Sequence, residues 1–164
     1  MRIGYADPPY PGCAHMYAGH PDYAGEVDHA ALIDRLAADF DGWALSTSSS
    51  ALRDLLPLCP VKTRVGAWVK PFCSFKPGQT VAWAWEPVLF VPARARPRSE
   101  PTVRDWVSCN ITLRKGLVGV KPDEVCRWLF EVLGMVPGDE LHDLFPGSGA
   151  VSRAWADWQA AKAA

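Results

Sequence analysis

No apolar run in the chain approaches the roughly 20 residues that a membrane-spanning helix needs, so no span is expected. Cysteine is sparse and irregular: five residues, an odd number without repeating spacing, exclude a disulfide scaffold and point to a reducing cytoplasm, bacterial or that of a phage-infected host. Met1-Arg2-Ile3-Gly4-Tyr5 reads directly as a strand, so no leader peptide is expected. Charge of either sign is nearly balanced at a net −1, which excludes a generally basic nucleic-acid binder. There is no Gly-Lys-Ser/Thr phosphate loop, and no Gly-x-Ser-x-Gly elbow around Ser46 to Ser50. His15, His20, His29 and Cys13 fit no structural-zinc spacing, so no metal is expected and they read as polar loop residues. No internal repeat is seen, nor an insertion large enough for a dedicated target-recognition domain.

What is present is a chain of 164 residues, 49% hydrophobic with eight tryptophans, long enough to bury a core. Its organising stretch is Asp7-Pro8-Pro9-Tyr10, which follows the apolar run Ile3-Gly4-Tyr5-Ala6. The first proline bars Asp7 from helical geometry, and both rings fix φ. A carboxylate and an aromatic face are thereby held at a strand's carboxyl end, where open α/β sheets bind ligands. A planar amine suits such a site. The Asp7 carboxylate and a backbone carbonyl can accept its two N–H groups while Tyr10 stacks on its ring. Accepting those bonds leaves the nitrogen lone pair less delocalised and better placed to attack an electrophile.

The remaining pattern alternates strands and helices. Residues 11–27 form a loop of a length that usually has a task. Asp28 caps a helix with apolar face Ala31, Leu32, Leu36, Ala37 and Phe40, and Gly42 ends it. Trp43–Ser46 reads as a strand, and Ser46 to Ser50 as a cap for a helix carrying Leu52, Leu55 and Leu56. Arg64–Val69 and Val81–Val91 read as strands, the second interrupted at Glu86-Pro87, and Val107–Leu113 as a short strand or an irregular stretch. Residues 92–106, with three prolines among arginines, read as exposed and weakly structured. Pro122 opens a helix at N1 with face Val125, Leu129, Val132 and Leu133, stopped by Gly134. Glu140–Phe145 is a last strand before Pro146-Gly147-Ser148-Gly149 and a helix from Ala150. Such alternation implies an α/β fold with a mainly parallel sheet covered on both faces. Cys59, Cys73, Cys109 and Cys126 read as small hydrophobes and most tryptophans as core, with Trp83 and Trp106 the exceptions able to stack on bases.

Asp-Leu-Phe-x-Gly-x-Gly at 143–149, together with Asp-Pro-Pro-Tyr, resembles the amino-methyltransferases that use S-adenosyl-L-methionine to methylate the exocyclic nitrogen of adenine in DNA or RNA. The order, with the glycine turn last, is similar to the permuted one of the MT-A70 group and of beta-class DNA adenine methyltransferases, small phage-encoded ones among them. Trp68-Val69-Lys70-Pro71, Trp85-Glu86-Pro87-Val88-Leu89, Lys121-Pro122 and Ala154–Gln159 extend the resemblance over nearly the whole chain. The ending Trp158-Gln159 lacks the Gly-Asn often found in the family.

The resemblance implies a Rossmann-like methyltransferase fold, circularly permuted, in one domain over 1–164. It implies methyl transfer to adenine N6 by Asp7, Pro8, Pro9 and Tyr10, with the Pro8 carbonyl as second acceptor. The cofactor would lie against Ala6, Asp7, Lys121, Pro122, Asp143, Leu144, Phe145, Gly147 and Gly149, with Gln159 on the ribose. The substrate, DNA in preference to RNA, would meet Tyr10, His15, His20, Lys70, Arg94, Arg96 and Arg98 through loops 11–27 and 92–118, the three arginines on phosphates along the rim of the Asp7 site. The oligomeric state is open, a homodimer included. Transfer to cytosine N4 and a catalytically inactive nucleic-acid-binding subunit are the competing readings.

Overall fold

The computed structural model describes residues 1–19, 25–73, 78–112 and 120–163. Six strands form one sheet: β1 Arg2–Ala6, β2 Gly42–Ser46, β3 Arg64–Val69, β4 Trp85–Val91, β5 Trp106–Ser108 and β6 Glu140–Asp143. Their spatial order is β5-β3-β4-β2-β1-β6. β1 pairs in parallel with β2 and β6, and β3 with β5, while β4 is antiparallel to both β2 and β3. Five strands therefore point one way, and β4 alone opposes them.

Alternation along the strands splits the core in two. Ile3, Tyr5, Ala44, Val88 and Phe90 face α3 (Asp123–Leu133) and α4 (Ala150–Ala163), meeting Trp128, Phe130, Trp155 and Trp158. Ala6, Trp43, Leu45, Leu89 and Val91 face α1 (His29–Asp39) and the single turn α2 (Leu52–Leu55). Helices thus lie on both faces.

Several local expectations change. α1 is capped as read, Asp28 accepting from the Ala31 N–H at 3.0 Å. Its buried face is His29, Leu32, Ile33 and Leu36, at i, i+3, i+4 and i+7, and Ala31 and Ala37 are exposed. Gly42 lies within β2 rather than ending the helix. Ser48 makes no side-chain cap, because its hydroxyl pairs with Ser50, while the Ser46 hydroxyl pairs with the Tyr5 phenol at 3.0 Å inside the core. Pro122 is the N-cap of α3 rather than its first residue. Pro87 sits inside a central strand. Its carbonyl accepts from Thr47 at 3.1 Å just beyond the end of β2. Lacking an N–H to return, it ends that ladder without orphaning an acceptor inside β2.

The antiparallel course of β4 matters most for function. Its amino end lies level with the carboxyl ends of the other strands, and the segment after Val91 emerges at the opposite end of the sheet.

Candidate active site

Asp7 follows the last residue of β1, and its turn is packed: Pro8 is buried, Asp7, Pro9 and Tyr10 half-buried. Asp7 Oδ2 meets Lys121 Nζ at 2.8 Å. Lys121, just before α3 and only 7% exposed, also reaches Glu86 Oε2 at 3.5 Å. Glu86 is bound in turn by the Lys70 ammonium and accepts from the Tyr10 hydroxyl at 2.9 Å. Both lysines lie over the Trp68 ring, at 4.7 and 5.6 Å from its centre. Carboxylates and ammoniums thus alternate through Asp7 just after β1, Lys121 just before α3, Glu86 in β4 and Lys70 just after β3.

Burial raises the Asp7 carboxyl above its ordinary value, and the charge of Lys121 offsets part of that. Burial alone would raise Glu86 too, but Lys121 and Lys70 outweigh it and hold Glu86 below the usual range. For Lys121, burial opposes the charged form, yet Asp7, Tyr5 and Glu86 keep the ammonium protonated well beyond ordinary lysine. Burial and the Asp7 and Glu86 charges keep the Tyr10 phenol neutral.

The glycine turn adjoins this cluster, because β6 lies beside β1 with Asp143 opposite Tyr5. Leu144 N–H continues the pairing onto the Tyr5 carbonyl at 2.9 Å. Gly147 and Gly149 have φ of 44° and 70°, the left-handed region that side chains strain to enter. The turn closes by Gly149 N–H on the Pro146 carbonyl at 2.6 Å, and Arg153 N–H on the Gly149 carbonyl at 3.1 Å begins α4. Asp143 is half-buried, accepts from Phe145 N–H at 3.3 Å, and has no ion-pair partner among the described residues. Burial, with a smaller push from Asp7, lifts it to about 6.

Asp7, Tyr10, Lys70, Lys121, Pro122, Ala6 and residues 143–149 therefore gather at one end of the sheet. His15 is exposed on a short 3-10 turn, Ala14–Tyr17, after the Asp7 turn. His20 lies outside the described residues. No group of three or more His, Cys, Asp or Glu among the described residues could hold a metal ion.

Two placements differ from expectation. Gln159 accepts from the Gly138 N–H at 3.2 Å. α4 starts at the glycine turn and runs back along the sheet, so nine residues on it has travelled roughly 14 Å away. Gln159 ends beside the turn before β6, remote from the cluster. Arg94, Arg96 and Arg98 follow β4, and its antiparallel course puts them at the far end of the sheet from Asp7. Arg94 binds Asp139 at 2.6 and 2.8 Å and the Gly134 carbonyl at 2.7 Å. Arg96 binds Glu131 at 2.6 Å and Glu100 at 3.2 Å. The segment is pinned rather than loose, and two of its three cations are engaged within the protein.

The sequence segments that contain Glu86 and Trp68 carry the resemblance, but neither residue is given a place in the site by sequence reasoning. Glu86 was legible only as a charge inside an apolar run, and its dipeptide with Pro87 reads as an interruption.

Scanned against protein-family models, the chain finds no match, and no curated protein matches its sequence. Solved structures do resemble it. The M1.HpyAVI-SAM complex superposes with a TM-score of 0.66 at 15% identity, covering 96% of this chain and 78% of that one. The chain has the M1.HpyAVI fold. A second structure of M1.HpyAVI gives a TM-score of 0.55 at 13% identity, over 97% and 76% of the two chains. At such identities the M1.HpyAVI likeness concerns the path of the backbone, and the site rests on the residues above. No helix among the described residues is long and apolar enough to cross a membrane.

Proposed function

We propose that the chain transfers the methyl group of S-adenosyl-L-methionine to the exocyclic N6 nitrogen of adenine in nucleic acid, DNA in preference to RNA. The observation that carries this reading is the Asp7 carboxylate, held by Lys121 at a strand end beside the Asp143–Gly149 turn, with the Tyr10 hydroxyl tied through Glu86 to the same lysine. A SAM complex of the M1.HpyAVI fold supports it.

The residues present fit the cofactor's amino-acid half. Asp143 is a half-buried carboxylate without a cation among the described residues, next to a glycine turn that opens a helix. An ammonium group would relieve it. Gly147 and Gly149 would hold that half, with Ala6, Leu144, Phe145 and Pro122 as neighbours. Gln159 does not fit a ribose contact from its present place. When bound, S-adenosylmethionine supplies an electrophilic methyl group on a sulfonium.

The chain's own part is acceptance and alignment. Lys121 takes one oxygen of Asp7 and favours its ionised form, leaving the other oxygen for an amine N–H. The Pro8 carbonyl takes the second N–H. Positive charge builds on the amine nitrogen during transfer, and the Asp7 carboxylate stabilises it where water is largely excluded. Tyr10, its hydroxyl tied to Glu86, presents its ring to a base taken out of a helix or offered unpaired. We assign residues 1–164 to one catalytic domain working in the cytoplasm. Arg94 and Arg96 are left out of the substrate site.

Incubation with labelled S-adenosylmethionine and DNA, followed by digestion to nucleosides, should place the label on N6-methyldeoxyadenosine. Label on cytosine would overturn the base assignment. The displaced Gln159 favours a second reading, an inactive strand-binding relative. Calorimetric titration with S-adenosylhomocysteine separates the two, since only the enzyme should bind it.

A further inference from the structure

The helices on the α1 side pack on β1, β2 and β4 and leave the same face of β3 and β5 uncovered. Val65 and Val69 of β3 stand exposed there, with Ala67 between them. Trp85 of β4 and Trp106 of β5 flank this floor, 39% and 43% exposed. Together they line a cavity of about 560 Å³. Register places Trp85 opposite Val69 and Trp106 opposite Ala67, with β3 between them. Strand spacing and rise then separate the two Cα atoms by roughly 12 Å, enough for a planar ring over the small Ala67 side chain.

The rim is cationic. Arg104 lies over the Trp106 ring at 5.2 Å. Asp105 and its neighbour Arg64, paired at a long 3.9 Å with both ends more than half exposed, join this slot to a second groove of about 760 Å³. That groove lies on the α3 face, lined by Phe90, Glu131 and Val132, so the two meet across the β5 edge, and it runs to the far end of the sheet. Its arginines 94 and 96 are taken, but Lys62 and Arg98 are exposed and have no ion-pair partner among the described residues. The slot also adjoins the Asp7 cluster through β4. Glu86 points to that cluster, and Trp85, one residue earlier, points to the opposite face.

We propose that the Trp85–Trp106 slot stacks unpaired bases of a single-stranded nucleic acid whose phosphates follow Arg104, Arg64, Lys62 and Arg98. Aromatic platforms beside a cationic track are how proteins hold single strands without reading sequence. The inference deepens the proposed function, and rests on it, by giving the substrate its form: a strand that stacks its bases in the slot, crosses the β5 edge onto the arginines, and offers a base past the amino end of β4 to the Asp7 cluster. It also gives the exposed indoles an occupant that matches the charge around them.

The test is fluorescence anisotropy of a labelled single-stranded oligonucleotide, without cofactor. Trp85→Leu and Trp106→Leu should each weaken binding about five-fold or more, the usual loss for one stacked base. Trp106→Phe should restore most of it, which separates stacking from a folding defect. Lys62→Ser with Arg98→Ser should flatten the salt dependence by about 0.7 per lost phosphate contact. Binding is read without cofactor and so without turnover, which keeps a failure of methyl transfer distinct from a failure of this site. Unchanged affinity in the double leucine variant would overturn the proposal. So would sedimentation showing that those substitutions abolish self-association while strand binding persists, because the face would then be a protein interface.

Discussion

Asp7 carries a charge where burial disfavours one, and Lys121 lies close enough to offset much of that penalty. The carboxylate is thereby available as an acceptor yet poorly hydrated, so its bonds to a substrate amine face little competition from water. Asp7→Ala should lower the turnover rate by about 100-fold or more, the usual loss for an electrostatic contact made in the transition state. Its melting temperature should fall modestly, since the buried Lys121 ammonium keeps Glu86 but loses Asp7, so rates are compared where the variant is folded. Activity within a few-fold of the parent would discard the mechanism. Because the Asp7 carboxyl is raised, the acid limb of the rate should also fall at a pH above the ordinary carboxylate range.

Asp143 behaves differently, having no cation beside it among the described residues. Its folded pKa of about 6 exceeds that of an unfolded chain. Its favourable share of stability is therefore present only below the unfolded value, and is lost as pH rises through about 6. Asp143→Asn should then raise the melting temperature of the free protein at neutral pH while weakening cofactor binding, an exchange of stability for function. Cofactor binding in the parent should fall as pH drops through about 6, and calorimetry in buffers of different ionisation enthalpy should detect proton release near that pH. A lower melting temperature for the asparagine variant would mean that the carboxylate is already satisfied.

Among the elements, the connection from α3 to β6 depends on the ion pairs of Asp139 with Arg94 and with the Met1 ammonium, the latter at 2.9 Å. Asp139 is buried, bound by two nitrogens of Arg94, and accepts from the Val136 N–H at 2.9 Å. Burial works against its charge, but these bonds hold its carboxyl far below the usual range. Its contribution is complete above the unfolded carboxylate pKa and disappears as pH falls through the lower folded one. Arg94→Ala leaves that carboxylate with the Met1 ammonium alone and should destabilise the fold by about 2 kcal/mol, read by urea unfolding. Nucleic-acid binding should be unaltered at a temperature where the variant is folded. A stability within about 0.5 kcal/mol of the parent would show the pair to be a surface contact. The alternation of Arg94, Arg96 and Arg98 was visible in the sequence. Their partners Asp139 and Glu131 were not, because they lie 45 and 35 positions along the chain.

At the scale of the molecule, the sheet separates two apolar layers whose side chains do not meet. Phe130 packs edge-on against Trp155 and Trp158 in one layer, and Leu36 lies fully buried in the other. Phe130→Ala should cost about 3–5 kcal/mol and Leu36→Ala about 2–5 kcal/mol in urea unfolding. The double variant should show their sum to within about 0.5 kcal/mol, since the sites share no partner. A larger deviation would mean that the layers communicate through the strands.

The strand of Asp7, the glycine turn and the caps at Asp28 and Gly134 were legible because they depend on neighbours in sequence: proline fixes φ, glycine permits positive φ, and a carboxylate reaches an N–H three residues on. The doubly covered α/β architecture followed from strands alternating with helices. Which end of the sheet each segment occupies depended on one fact beyond any local window, that β4 runs against its neighbours. That reversal carries Glu86 into the Asp7 cluster and Arg94 away from it. The length of α4 likewise carries Gln159 from the glycine turn, and the uncovered face of β3 and β5 exists only because the helices on that side stop at β4. Local sequence determined which groups were available as acceptor, stacking ring and cradle, because backbone stereochemistry acts over a few residues. Tertiary structure decided which charges meet, because pairing across a sheet joins residues with no short path along the chain between them.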